Sequence, residues 1–325
     1  MKKFIIFLLL TNLLNAAEEL FELESFSYSM ENDANVDTDY GYTHGARISA
    51  LFYRGDTQDS FLNIPFTSPE DTSNFISFAY SQQMFTPDDL DETEIIKDDR
   101  PFAGYSYIEM GLHQTSKSNA DSLTLQTGIV GPSSGMEDLQ SLFHKSIDAR
   151  DAVGWKYQLE NEFILQLNYM HKWRFELSKV YGLESIIIPY SGVNFGNASI
   201  KASAGAQYRI GFNIPKDFGT NSMNEGSYSS LPIESKAVVN DSSKWALSLN
   251  LSLGSNLVAH DIFLDDWYEV DRNYFNAYMS AGVTARYKNF SVDYQHNYYT
   301  KDYEQRDLYK EYRGYGFLIL TYNFE

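Results

Sequence analysis

Three short stretches of this 325-residue chain carry side chains that could do chemistry together. The first is Glu31-Asn32-Asp33, followed by Asp37, Asp39 and Tyr42-Thr43, a set of carboxylate, amide and hydroxyl oxygens of the kind Ca²⁺ prefers. Its spacing is not that of an EF-hand, which needs a central Gly and a terminal Glu. The second is Asp88 to Arg100, dense in acids, in which Lys97 and Arg100 are the cations able to meet a phosphate. The third is His144, within a stretch from Met136 to Ala149 that lacks helix breakers and spaces Leu139, Leu142, Phe143 and Ile147 as a helix would. Ser134 is placed to cap that helix, with Glu137 three residues on. An imidazole titrates near neutral pH, so a histidine on such a helix suits a general base. The competing readings are bland: an acidic, solvated loop and a surface histidine.

Whether these stretches meet depends on the elements between them. Apolar and polar residues alternate with period two over long runs. Ile200, Ala202, Ala204, Ala206, Tyr208 and Ile210 interleave with Lys201, Ser203, Gly205, Gln207 and Arg209; Leu247, Leu249, Leu251 and Leu253 interleave with Ser248, Asn250 and Ser252. Such runs are long enough for tilted membrane strands of about 9 to 11 residues. They number twelve: roughly 24–31, 42–53, 73–83, 103–115, 121–130, 161–178, 183–194, 198–213, 245–257, 274–287, 289–300 and 312–324. An even number closes an antiparallel cylinder with no edge left in lipid. Mean hydropathy is negative (-0.38), yet the chain holds 25 Tyr, 22 Phe and 4 Trp. A barrel reconciles the two, because alternate residues face a polar interior and aromatic girdles mark both interfaces. The expected fold is all-β: a twelve-stranded antiparallel transmembrane barrel with one short helix in an extracellular loop.

Residues 1–17 read as an export signal: Lys2 and Lys3, an apolar run from Phe4 to Leu14, then Asn15-Ala16-Ala17. The barrel would then be 18–325, in the outer membrane of a Gram-negative cell. With the N-terminus inside, the outward connections are 32–41, 84–102, 131–160, 195–197, 258–273 and 301–311. The inward ones are 54–72, 116–120, 179–182, 214–244 and 288, of which 54–72 and 214–244 are long for a barrel. This parity sends Asn32, Asp33, Thr43, Lys97 and His144 to one rim. Lys201, Arg209, Arg286 and Lys288 fall at interior-facing positions. The net charge of -19 and pI of about 4.6 argue against a nucleic-acid partner. There is no cysteine, hence no disulfide.

A base, a cation site and a phosphate contact at the outer leaflet suggest hydrolysis of a membrane ester. No Gly-x-Ser-x-Gly elbow occurs, and histidine-activated water with a cation at the carbonyl needs no serine. At these residues the chain resembles the outer-membrane lipid A 3'-O-deacylases. The likeness is carried by Glu31-Asn32-Asp33, Thr38-Asp39, Gly41-Tyr42-Thr43-His44-Gly45, Gln83-Met84-Phe85-Thr86-Pro87 and Asp99-Arg100-Pro101-Phe102-Ala103-Gly104. It continues through Gly131-Pro132, Gln140, His144, Gly154-Trp155, Gln158-Leu159, Asn161-Glu162 and Asp217-Phe218-Gly219. The resemblance implies a twelve-stranded barrel and Ca²⁺-dependent hydrolysis of the 3'-linked acyloxyacyl ester of lipid A. It implies His144 as the base, Asn32, Asp33 and Thr43 as active-site residues, Asp33 as the cation contact and Lys97, more loosely, as a basic residue of the site. Six residues past the histidine, where the family can place an acid, this chain has Arg150; Asp148 or Asp151 could substitute. The expected partners are lipopolysaccharide and outer-membrane lipids, with the barrel a monomer. Two alternatives stand beside this reading: an outer-membrane phospholipase using a serine near His144 (Ser133, Ser134, Ser141 or Ser146), and a channel or adhesin with acidic loops.

Overall fold

The computed structural model describes residues 21–33, 41–55, 63–64, 67, 72–146, 152–223, 228–240, 243–305 and 314–325. The proposed export signal, Asp37, Asp39, Asp148, Arg150 and Asp151 lie outside them.

Twelve antiparallel strands form one closed sheet: β1 (Glu22–Asn32), β2 (Gly41–Gly55), β3 (Ser73–Thr86), β4 (Ala103–Thr115), β5 (Asn119–Val130), β6 (Glu162–Trp173), β7 (Glu184–Gly196), β8 (Ser199–Phe212), β9 (Trp245–Asp261), β10 (Phe275–Tyr287), β11 (Phe290–Tyr299) and β12 (Gly314–Asn323). A two-residue piece, Phe175–Glu176, prolongs β6 and also pairs with β7. Neighbours in sequence are neighbours in the sheet. The first strand closes on the last over Ser25↔Asn323 to Asn32↔Gly316. The backbone of the wall is thus paired strand to strand all the way round, the condition for crossing lipid with strands. No helix among the described residues is long and apolar enough to cross a membrane.

The alternation resolves into an inside-out protein. Leu247, Leu249, Leu251 and Leu253 of β9 are 46–67% exposed, while Ser248, Asn250 and Ser252 between them are buried. The same holds for Phe26, Tyr28 and Met30 of β1 against Ser25, Ser27 and Ser29. Apolar side chains face the bilayer and polar ones fill the lumen. Because buried charge is tolerated only when paired, the lumen is laced with ion pairs. Arg47 pairs with Glu109, which also accepts from Gln126 Nε2 at 2.8 Å.

The long inward connection 213–244 explains its own length. Its described residues, 213–223 and 228–240, do not hang outside the barrel; they fold up into the lumen as a plug. Phe218, Tyr228, Leu231 and Ile233 pack against Leu51, Phe75 and Ala120 of the wall. Three wall cations grip it. Arg209 pairs with Asp217 at 2.5 Å, Lys172 Nζ donates to Phe218 O and Asn221 Oδ1 at 3.0 Å each, and Arg286 donates to Val238 O at 2.9 Å. Lys288 is the exception among the expected lumen cations. It sits at positive φ (53°) in the β10–β11 turn, exposed at the inward end. The bonded, plugged lumen weighs against a wide channel. At its outward end remains a cavity of about 210 Å³, walled by tyrosines and amides and by Arg100, Lys201 and Asp261.

Candidate active site on the outer wall

Among the described residues one α-helix is seated at the outward end, α1 (Met136–Ser146), in the connection between β5 and β6. Its apolar spacing marked a helix without deciding which side meets the protein. The buried residues are Met136, Gln140 and His144, one per turn, whereas Leu142 and Phe143 are 68% and 54% exposed. Spacing identifies a helix but not its solvent. Where the surroundings are lipid, the apolar side faces out and the polar side is turned to the protein. The start of the helix also differs: Pro132–Ser134 forms a 3₁₀ turn and Gly135 sits left-handed (φ 77°) before Met136. Ser134 Oγ is buried rather than placed as a cap, and the Ser134 carbonyl accepts from Ser106 Oγ at 2.7 Å.

The helix is docked on the outside of the wall. Along β3, Gln83 and Phe85 line the luminal cavity, so Met84 and Thr86 face outwards. Met84 packs with Phe102, Met136 and Trp155 under the helix. On β4, Tyr105 and Tyr107 face the cavity and Gly104 faces out. A Cβ on Gly104 would overlap Ser134 Oγ and come within 2.6 Å of Met136 Cβ. Trp155 Nε1 donates to Gln140 Oε1 at 2.6 Å, and its ring lies 5.1 Å from Phe102. Gly131, at φ 101°, donates to Gly104 O at 2.9 Å; Ser133 N donates to Asn161 Oδ1 at 2.8 Å. Most motifs that carry the family resemblance therefore hold α1 against the barrel, and so position His144.

Two of the other predicted residues, Asn32 and Thr43, lie on the same outer face. A bulge in β2 brings them there: register to β3 slips between Tyr42 and His44, leaving Thr43 unmatched. Tyr42 lines the luminal cavity and Gly45 faces the lumen, against Tyr42 and Met223 of the plug. Thr43 and His44 are both re-aimed outwards between them, the usual effect of a bulge. Thr43 Oγ1 is 2.6 Å from Thr86 Oγ1, and Asn32 Nδ2 donates to Thr43 O at 3.1 Å. Asp33 follows, buried, at the end of β1. Cross-strand register then runs Asn32↔His44↔Met84↔Gly104, a row leading from Asn32 to the seat of the helix. His144, Asn32, Asp33 and Thr43 thus gather at one end of the barrel. His44, which sequence reasoning did not single out, is in the row with them; its signal was its place in the Gly41–Gly45 motif.

Lys97 and Arg100 do not join this group. Arg100 is buried towards the lumen, 4.9 Å over the Phe85 ring and 3.4 Å from Asp302. Lys97 is exposed, with its ammonium 6.0 Å from the Tyr268 ring. Their connection is part of a roof over the mouth. Glu269 N donates to Lys97 O at 2.9 Å, Trp267 Nε1 to Ile96 O at 3.2 Å, and the Tyr303 hydroxyl to Asp99. Burial pushes the Asp99 carboxyl above its ordinary range, against the hydrogen bonds it accepts from Asp88 N and Tyr303. A serine–histidine arrangement also exists, but in the lumen: His113 lies 2.8 Å from Ser77 Oγ and 2.9 Å from Ser122 Oγ, beside the Tyr228 ring of the plug. It has no face to lipid. Near His144, Ser146 Oγ donates to Phe143 O at 2.7 Å, a local helix contact.

A closed antiparallel barrel with its lumen plugged and apolar side chains turned outwards defines an outer-membrane barrel protein. The model of the family described as "Outer membrane protein LpxR" matches residues 4–324, and the chain belongs to that family. Among solved structures it is similar to LpxR from Salmonella typhimurium, with TM-score 0.75 and 17% identity over 92% of this chain and 100% of that one. Two autotransporter barrels are more distant. The β domain of Bordetella BrkA has TM-score 0.44 and 6% identity over 93% of this chain and 98% of that one. The NalP translocator of Neisseria meningitidis has 0.42 and 7% over 99% and 97%. No curated protein matches.

Proposed function

We propose that this chain is a lipid A 3'-O-deacylase that removes the 3'-linked acyloxyacyl group in the outer leaflet, using water activated by His144. The observation that carries the reading is where the polar side of α1 faces: His144 and Gln140 are turned to the exterior of the barrel wall, at the end that holds Asn32 and Thr43. An ester in a bilayer reaches that surface by lateral diffusion, without entering the lumen. His144 takes a proton from water, and general-base help of this kind is typically worth ~10²–10⁴-fold. Asn32 and Thr43, fixed to one another through Thr43 O, hold the polar floor on which the ester lies.

A hard cation fits this donor set in part. Asp33 supplies a carboxylate and its neighbours amide and hydroxyl oxygens. Among the described residues no group of three or more acidic, histidine or cysteine side chains forms. On this reading Asp33 would be the carboxylate that holds Ca²⁺. Bound there, the ion would polarise the ester carbonyl and stabilise the developing oxyanion.

The test is the lipid A of cells carrying the chain. Mass spectrometry is expected to show loss of the 3'-acyloxyacyl group with wild type, and retention with His144→Ala or after chelation. Full deacylation by a folded His144→Ala barrel would overturn the role of His144. Sequencing the mature N-terminus, expected near Glu18, checks the export signal.

A further inference from the structure

Strands β1 and β2 turn from apolar to polar at the same level. Read towards the outward end, the outer face of β1 runs Phe26, Tyr28, Met30 and then Asn32; that of β2 runs Ala50, Ile48, Ala46 and then His44. Register sets Tyr28 against Ile48, Met30 against Ala46 and Asn32 against His44. The Asn32–His44 pair is therefore the first polar row above the apolar band, the level at which acyl chains give way to sugar. Directly opposed residues on one face have Cβ atoms about 4.5–5.5 Å apart, so the imidazole is a neighbour of the Asn32 amide. On its other side His44 pairs with Met84, which lies under α1. The ring stands between the polar floor and the seat of the helix.

Nothing in the described protein holds that ring. Of the six histidines, His113 and His260 are bonded through both nitrogens, His171 is bonded to Asp121 and His296 to Tyr294. His44 is half-buried; no hydrogen bond among the described residues reaches either of its nitrogens, and neither nitrogen is sealed from the outside. An ionisable side chain turned to the bilayer without a protein partner is costly, and such a residue marks function. With both nitrogens open, the neutral ring can carry its N–H on whichever one meets an acceptor, so no particular tautomer is required. The helix brings the base to the same place. Met136 lies on Gly104, and α1 rests on β4 and β3. His144 is eight residues further on, about 12 Å of helix, against about 10 Å for the two strand steps from Gly104 to His44.

We propose that His44 is a substrate-binding residue of the outer-wall site, its N–H donating to a carbonyl oxygen at the root of an acyl chain of lipid A. This rests on the deacylase reading above and adds to it where the ester lies: across the Asn32–His44 pair, with the sugar outwards and the chain down the Met30–Ala46 column. The border with the apolar band selects acyl oxygens over the phosphates, which ride higher in the headgroup.

Turnover of lipid A in mixed micelles, and its binding to a His144→Ala barrel, test this with His44→Phe and His44→Gln. Phenylalanine keeps a ring beside Met84 and loses the donor; glutamine keeps a donor. Losing one such hydrogen bond is expected to raise KM and weaken binding ~3–10-fold, with kcat within threefold, and glutamine should recover part of the loss. The effect should persist on dephosphorylated lipid A. Heat-modifiable migration confirms that each barrel is folded, and unchanged protease resistance within 136–146 that α1 is still docked. Unchanged KM and binding in folded His44→Phe overturns the proposal, as does a fall in kcat alone, a glutamine no better than phenylalanine, or an effect that vanishes with the phosphates. Absence of wild-type turnover would instead defeat the deacylase reading, and the binding measurement would still decide whether His44 holds lipid A.

Discussion

The lumen and the outer wall both bury polar side chains, but they do it by opposite means. In the lumen charges satisfy one another: Arg47 with Glu109, Arg209 with Asp217, Lys172 with the plug backbone. Remove either member of such a pair and the other is left buried and unpaired. On the wall, position comes from backbone and packing instead: a bulge at Thr43, a bare Gly104, a tryptophan braced against Gln140. The lumen spends its polar groups on cohesion, while the wall presents them to what lies outside. A charged or histidine-rich cluster is therefore a poor guide to function in this molecule unless the face it occupies is known. His113 between Ser77 and Ser122 resembles a catalytic arrangement more than His144 does, yet it is locked under the plug.

Four substitutions would break or sharpen that contrast. His144→Ala should cost ~10²–10⁴-fold in deacylation while thermal unfolding stays that of wild type; an active mutant moves the chemistry elsewhere. Asp217→Ala should do the reverse. Leaving Arg209 unpaired in the lumen should destabilise the barrel by ~3–5 kcal/mol, read from urea unfolding in micelles, with turnover near normal at low temperature. Were Asp217→Ala to abolish turnover in a folded barrel, the plug would belong to the site. Gly104→Val should lift α1 off the wall without touching the lumen, lowering activity at least about tenfold, since misplacement by ~1 Å can cost 10²-fold; protease cleavage within 136–146 should rise in parallel. Trp155→Phe removes the hydrogen bond to Gln140 and should cost only ~1 kcal/mol of helix docking, seen as a few-fold drop in turnover. No change there would mean that ring packing on Phe102 alone seats the helix.

The sequence made the barrel legible because period two survives in any solvent. Leu247 to Leu253 alternate with serine and asparagine whether water or lipid is outside, so strand number and the short turns could be read directly. Facing could not. The apolar spacing of Leu139, Leu142 and Phe143 marked a helix but not its facing: Leu142 and Phe143 face outwards and Gln140 and His144 are turned in. Arg100 and Lys97 share a loop with the rim but turn to the mouth, because the partners that decide this, Asp302, Glu269 and Tyr268, lie some 170 to 200 residues away. The plug gave a signal in its length, and its destination is fixed by cations on three distant strands. Thr43 is aimed by a one-residue slip in register that no composition records.

The pairing of the first strand with the last has a consequence for biogenesis. Residues 25–32 meet 316–323 only when the sheet has sealed. A half-inserted chain consequently has a gap where Asn32 and Gly316 should abut, with its rim unmade. On the deacylase reading, hydrolysis of membrane lipid would be withheld from folding intermediates, and the appearance of activity would time the zipping of that last seam in a living cell.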